Sequence, residues 1–127
     1  MENLIVTADT RTPSIEFNWA DGKFAIRGES YPEDVRKFYD PPVKAFRAWV
    51  ESSGMQPIEF ELAFVYFNSS TAKVLMDLFE LLEEIAGDGR SVSIAWVHAE
   101  DDDNLKELGE EFGEELSSAK FELRVMA

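Results

Sequence analysis

The sequence predicts an α/β fold in which a mixed β-sheet carries its helices mainly on one face. Three observations point there. Two short alternating segments near the N-terminus form a hairpin, and beyond them helix-period and strand-period stretches take turns to the end of the chain. The clearest strand, Pro57 to Phe67, has an apolar face and a second face that opens with Glu59 and Glu61, which a sheet covered on both sides would not accept. The 127 residues are 45% hydrophobic with ten Phe and three Trp, which suits one core and one domain spanning 1–127, with residues 1–11 at its periphery.

Taken in order, Leu4 to Thr7 reads as an additional edge strand. Ile15 and Phe17 alternate with Glu16 and Asn18, Phe24 and Ile26 mark the return strand, and Asp21-Gly22 supplies the turn between them. Pro32 is placed to open a helix behind Tyr31. Val35, Phe38 and Tyr39 give it a short apolar stripe, which Pro41-Pro42 is expected to interrupt. Val43, Phe46, Trp49 and Val50 then lie on one face of the principal helix, closed by Gly54.

After the Pro57 to Phe67 strand, whose apolar face is read as Ile58, Phe60, Leu62, Phe64 and Tyr66, the period changes again. Leu75, Leu78, Phe79, Leu82 and Ile85 form the stripe of a helix over Thr71 to Ala86, with Asp77, Glu80, Glu83 and Glu84 on its polar side. Ser91 to His98 is a strand facing inward through Val92, Ile94 and Trp96. Asp101 to Leu116 reads as a third helix, and Lys120 to Val125 as the last strand. Gly109 and Gly113 each weaken that third helix by about 1 kcal/mol relative to Ala. Close approach to the sheet or a partner explains them, and so does drift at tolerant positions.

Successive strand–helix–strand units make parallel neighbours, so the carboxyl ends of their strands share one rim. Three connections meet there: Gly28-Glu29-Ser30-Tyr31-Pro32-Glu33, Asn68-Ser69-Ser70-Thr71, and His98 to Asp103. The second sets three hydroxyls around a helix N-terminus. Capping by Asn68, Ser69 or Ser70 explains one or two of these residues. A phosphoacceptor is the sharper reading, because a phosphate there meets unpaired amides and the positive end of the helix dipole. In the first connection Tyr31 combines apolar area with a polar tip and suits a partner surface, which Ser30 would help to line.

The formal charge is −14, and no Lys/Arg stripe is visible, which argues against nucleic acid and against an anionic membrane surface. Without cysteine there is no thiol nucleophile, disulfide or thiolate metal site. No apolar run is long enough to span a bilayer and no leader pattern opens the chain, so the expected location is the cytoplasm. His98 is the only histidine, and Asp101-Asp102-Asp103 lacks the glycine of a calcium loop. No catalytic motif, metal site or cofactor is expected. An enzyme pairing Ser69 with His98 is the weakest reading, because no third member accompanies them.

The segments Thr12-Pro13, Gly28-Glu29-Ser30-Tyr31-Pro32-Glu33 and Tyr66-Phe67-Asn68-Ser69-Ser70-Thr71-Ala72-Lys73 belong to a wider pattern. With Met76-Asp77, Leu82-Glu83-Glu84 and the strand through Val92 to Trp96, the chain resembles the SiaC family of bacterial regulatory phosphoproteins from about Thr12 to Val125. The resemblance implies a two-layer fold similar to the STAS domains of anti-sigma-factor antagonists. It also implies a non-enzymatic partner switch, phosphorylated by a Ser/Thr protein kinase and restored by a PP2C-type phosphatase. In its unphosphorylated form such a protein binds and activates a diguanylate cyclase, linking it to cyclic-di-GMP and biofilm formation. The position matching the family acceptor is Ser69, with Ser70 and Thr71 as fallbacks. Glu29, Ser30, Tyr31, Pro32, Asn68, Ser70 and Thr71 are the expected partner-binding residues. The alternative is a constitutive protein–protein adaptor that is never phosphorylated.

Overall fold

The structure, a computed structural model, describes residues 2–126. Its elements run β1 (Leu4–Val6), β2 (Ser14–Asn18), β3 (Lys23–Ser30), α1 (Val35–Ser52), β4 (Ile58–Phe67), α2 (Ser69–Gly87), β5 (Val92–His98), α3 (Asp103–Glu114) and β6 (Lys120–Val125). The six strands lie in one sheet in sequence order. β1, β2 and β3 pair antiparallel, while β3 to β6 are all parallel neighbours. Each right-handed crossover therefore steps in the same direction across the sheet, and three such steps put three helices on one face.

That face holds the core. Phe17, Phe24, Phe46 and Phe60 meet with ring centroids 4.9–6.2 Å apart, and Trp19 and Trp49 extend the cluster. A second group forms around Trp96, with Phe64, Phe67, Phe79 and Phe112. Among the described residues no helix covers the opposite face, which answers why Glu59 and Glu61 are tolerated in a central strand. Arg27 reaches both Glu16 (3.7 Å) and Glu61 (2.5 Å), Lys23 lies 3.8 Å from Glu59, and Arg124 pairs with Glu122. This end of the face is laced by ion pairs in water.

Several sequence expectations need correction. Pro41 and Pro42 do not break the helix: α1 is continuous, with both prolines inside it. Each proline forfeits one backbone bond, but Pro42 lies on the buried face of α1 with Tyr39, Phe46 and Trp49, so the helix is held by its apolar face through the local penalty. Pro32 does not open α1 either. Asp34 is the cap, its carboxylate accepting from the Lys37 amide at 3.1 Å. Gly28 to Ser30 is the end of β3 and not a loop. Lastly, Tyr66 does not face the core. The pairing steps from Gly28–Phe64 to Glu29–Tyr66, leaving Val65 as an extra residue in β4. Gly28, at φ 120°, sits beside this bulge. The extra residue inverts the alternation, so Phe67 packs on Phe64 and Trp96 while Val65 and Tyr66 stand 56% and 52% exposed.

The two helix glycines have a physical cause. A Cβ at Gly109 would lie 2.6 Å from Nε1 and 2.8 Å from Cγ of Trp96, and one at Gly113 would lie 2.6 Å from the ring of Phe121. Close approach of α3 to the sheet requires both positions to be bare. α3 itself is shorter than expected, starting at Asp103 behind an Asp102 cap and ending before Leu116.

Candidate functional site

The rim at the carboxyl ends of the parallel strands exists as the topology requires, and the Asn68–Thr71 segment occupies its centre. Asn68 is the N-cap of α2. Its side-chain oxygen accepts from the Thr71 amide at 3.0 Å and from the Ser70 hydroxyl at 3.0 Å, and its backbone carbonyl accepts from the Ala72 amide. Ser69 and Ser70 are the first two residues of the helix, whose amides have no partner within it.

The three hydroxyls are not equivalent. Thr71 is fully buried and donates to the Ser30 carbonyl at 3.2 Å. Ser70 is half-buried and turned back onto Asn68. Ser69 is exposed, and its hydroxyl bonds to none of the described residues. Lys73 lies one helical turn further on the same side, also exposed. A dianion on Ser69 would meet two free amides, the helix dipole and a lysine, and it would not have to displace an existing bond.

Beneath this segment lies a buried polar cluster that the sequence did not disclose. Ser30 Oγ is 2.6 Å from the Tyr39 hydroxyl and 2.9 Å from Thr71 Oγ1, with all three residues at most 2% exposed. Burial pushes the Tyr39 phenol up to about 12, against the lowering effect of the Ser30 hydrogen bond. In the sequence Tyr39 is part of an apolar stripe, and a tyrosine in a core stripe is the one signal that a buried partner is required. Ser30 and Pro32, expected to line a partner surface, are buried instead. The same holds for Thr71, which is thereby set aside as a fallback acceptor: its hydroxyl is committed and no solvent reaches it.

What reaches the surface is Glu29, Tyr31 in part, and the pair Val65–Tyr66 brought out by the bulge. The rings of Tyr31 and Tyr66 meet edge-to-face at 5.8 Å. The Tyr31 amide donates to the Arg11 carbonyl at 2.8 Å, and Arg11 pairs with Glu33 at 3.2 Å, fixing the connection beside Ser69. Tyr66 is exposed where alternation placed it in the core, and the run of six apolar residues from Leu62 to Phe67 at this strand end is the signal that alternation is lost. His98 is buried at the end of β5, with Nδ1 2.9 Å from the Ala99 carbonyl, and no hydrogen bond joins it to Ser69. Asp102 and Asp103 serve the start of α3.

A family model described as SiaC family regulatory phosphoprotein matches residues 6–126. The chain belongs to that family. A curated relative from Pseudomonas aeruginosa strain UCBPP-PA14, an uncharacterized protein, is 34% identical over 120 residues and 92% of each chain. Among solved structures, apo-SiaC of Pseudomonas aeruginosa superposes with a TM-score of 0.85 at 33% identity over 100% of both chains. SiaC in a crystal structure of the diguanylate cyclase SiaD with its activator SiaC gives a TM-score of 0.91 at 31% identity, over 97% of this chain and 99% of that one. The mixed sheet with three helices is thus the SiaC-family architecture. No helix among the described residues is long and apolar enough to cross a membrane.

Proposed function

We propose that this chain is a partner-switching regulator, without catalytic turnover of its own, whose unphosphorylated form binds and activates a diguanylate cyclase in the cytoplasm. A Ser/Thr kinase modifies Ser69, and a PP2C-type phosphatase restores it. The single observation that carries the reading is the state of the Ser69 hydroxyl: exposed, unbonded among the described residues, and first in a helix whose two neighbouring hydroxyls are committed. The family's regulatory-phosphoprotein character and the solved complex of a relative with its cyclase support it.

Partner contact falls on Glu29, Tyr31, Val65 and Tyr66, at the edge of which Ser69 stands. A phosphoryl group adds about two negative charges there, so an apolar partner surface would have to bury or skirt a dianion, and binding is lost without refolding. The test compares wild type, Ser69→Ala and Ser69→Asp. Wild type and Ser69→Ala should stimulate the cyclase, measured as cyclic-di-GMP formed, while Ser69→Asp should not. Only wild type should take up radiolabelled phosphate from the kinase. Labelling of Ser69→Ala at the wild-type rate refutes the acceptor. Equal cyclase affinity of all three proteins, with or without kinase treatment, favours a constitutive adaptor.

A further inference from the structure

Ser30, Tyr39 and Thr71 come from three different elements, the end of β3, the second turn of α1 and the first turn of α2, and their hydroxyls converge on one buried point. Only one order of donation spends all three protons inside the cluster. Tyr39 donates to Ser30 Oγ, Ser30 donates to Thr71 Oγ1, and Thr71 donates to the Ser30 carbonyl. That carbonyl also accepts the Asn68 amide at 3.1 Å. A single residue therefore holds both sides of the Ser69-Ser70 pair, Asn68 before it and Thr71 after it. The cluster leaves no buried side-chain polar atom without a partner among the described residues. Such closed networks fix geometry, because any displacement strands a buried donor or acceptor.

We infer that Tyr39 and Thr71 are positioning residues that, through Ser30, lock the first turn of α2 so that only the Ser69 hydroxyl is presented for modification. The consequence is selectivity: Ser70 stays turned onto Asn68 because Asn68 is itself held by Ser30. The inference rests on the reading of Ser69 as acceptor only for its kinase arm. The exchange of backbone amides tests the lock in the unmodified protein.

Three variants suffice. Thr71→Val keeps the shape and deletes the hydroxyl, Thr71→Ser keeps the hydroxyl, and Tyr39→Phe removes only the phenolic oxygen. Amide hydrogen exchange is followed at Asn68, whose amide donates to the Ser30 carbonyl, and at Thr71 and Ala72, whose amides donate to Asn68. Exchange should accelerate about tenfold in Thr71→Val and about threefold in Tyr39→Phe. The amides of β5 and α3 should stay at wild-type rates, and Thr71→Ser should behave as wild type. After kinase treatment, peptide mapping should find phosphate on Ser69 alone in wild type and on both Ser69 and Ser70 in Thr71→Val. A variant that loses protection throughout the chain, or unchanged exchange at all three amides in both hydroxyl-deleted variants, overturns the inference. Wild-type protein that no kinase labels at Ser69 refutes the phosphorylation reading instead, and the exchange rates still decide the lock.

Discussion

Replacing Gly109 by Ala sets two opposing effects against each other, and the structure decides which prevails. In a helix interior Ala is favoured over Gly by about 1 kcal/mol, and burying a methyl group adds about 0.8 kcal/mol. Against this stands Trp96, 1% exposed, with Nε1 at 2.6 Å and Cγ at 2.8 Å from the new Cβ. Ordinary carbon contacts begin near ~3.5 Å, so the indole or the helix must move by about 1 Å. The indole is wedged among Phe64, Phe67, Phe79 and Phe112 and has no free side to move to. Overpacking of this kind costs about 1–3 kcal/mol. Displacement also pulls Nε1 from the Leu105 carbonyl, 2.9 Å away, at about 1–3 kcal/mol for a buried donor left unpaired. The net expectation is a loss of up to about 4 kcal/mol, read from urea midpoints followed by tryptophan fluorescence and corresponding to roughly 3 °C or more in Tm per kcal/mol at this chain length. Gly87→Ala is the control. It closes α2 with nothing nearer its Cβ than Ser118 Oγ at 3.9 Å, and should gain up to about 1 kcal/mol. A Gly109→Ala protein as stable as wild type, or more so, would refute the close approach of α3 to Trp96.

Two further predictions concern residues that tie distant segments together. The Glu83 carboxylate accepts from the amides of Ser117, Ser118 and Ala119 and from the Ser117 hydroxyl, and these bonds, chiefly those from the Ala119 and Ser117 amides, lower its pKa from 4.5 to about 2. A lowered folded-state pKa contributes stability that is complete above about 4.5 and lost as pH falls toward 2. Glu83→Gln should therefore be less stable than wild type at pH 7, with the gap narrowing by pH 2.5; a gap of constant size would contradict the clamp. Arg90, 5% exposed, donates to the Gln56 carbonyl (2.6 Å), the Val50 carbonyl (3.1 Å) and Ser53 Oγ (2.7 Å), and stacks 4.8 Å from the Trp49 ring. Arg90→Met should cost about 2–4 kcal/mol in chemical denaturation, with Arg90→Lys regaining only part of it, since one ammonium cannot span three acceptors.

Much of the fold was legible because period and burial agree along the chain. Val92, Ile94 and Trp96 alternate cleanly, and the Leu75 to Ile85 stripe admits no other reading than an amphipathic helix. The departures occur where a distant segment overrules a local preference. Pro41-Pro42 reads as a break until Pro42 is seen on the buried face of α1 with Tyr39, Phe46 and Trp49. Tyr66 reads as core until the register with β3 inserts Val65 as a bulge, a property of two strands that neither encodes alone. At the site, the hydroxyl run beside a helix N-terminus was readable from sequence, but the helix starts at Ser69 behind the Asn68 cap, two residues before the expected Thr71. The ranking of the three hydroxyls was not readable, because it depends on Ser30 and Tyr39, which reach Thr71 only through the sheet. Glu83 and Arg90 were unremarkable as residues in a polar stripe and a turn, since their acceptors and donors lie far away along the chain.

The sequential order of the sheet has a consequence for how the chain is made. As synthesis proceeds, each new strand finds its neighbour already in place, and no formed pair has to open to admit a later one. The parallel pairings span one strand–helix–strand unit each, so every loop closure is of similar, moderate entropy. Growth from the N-terminal hairpin outward would keep only one sheet edge unfinished at a time, limiting the interval in which a bare edge can recruit another chain.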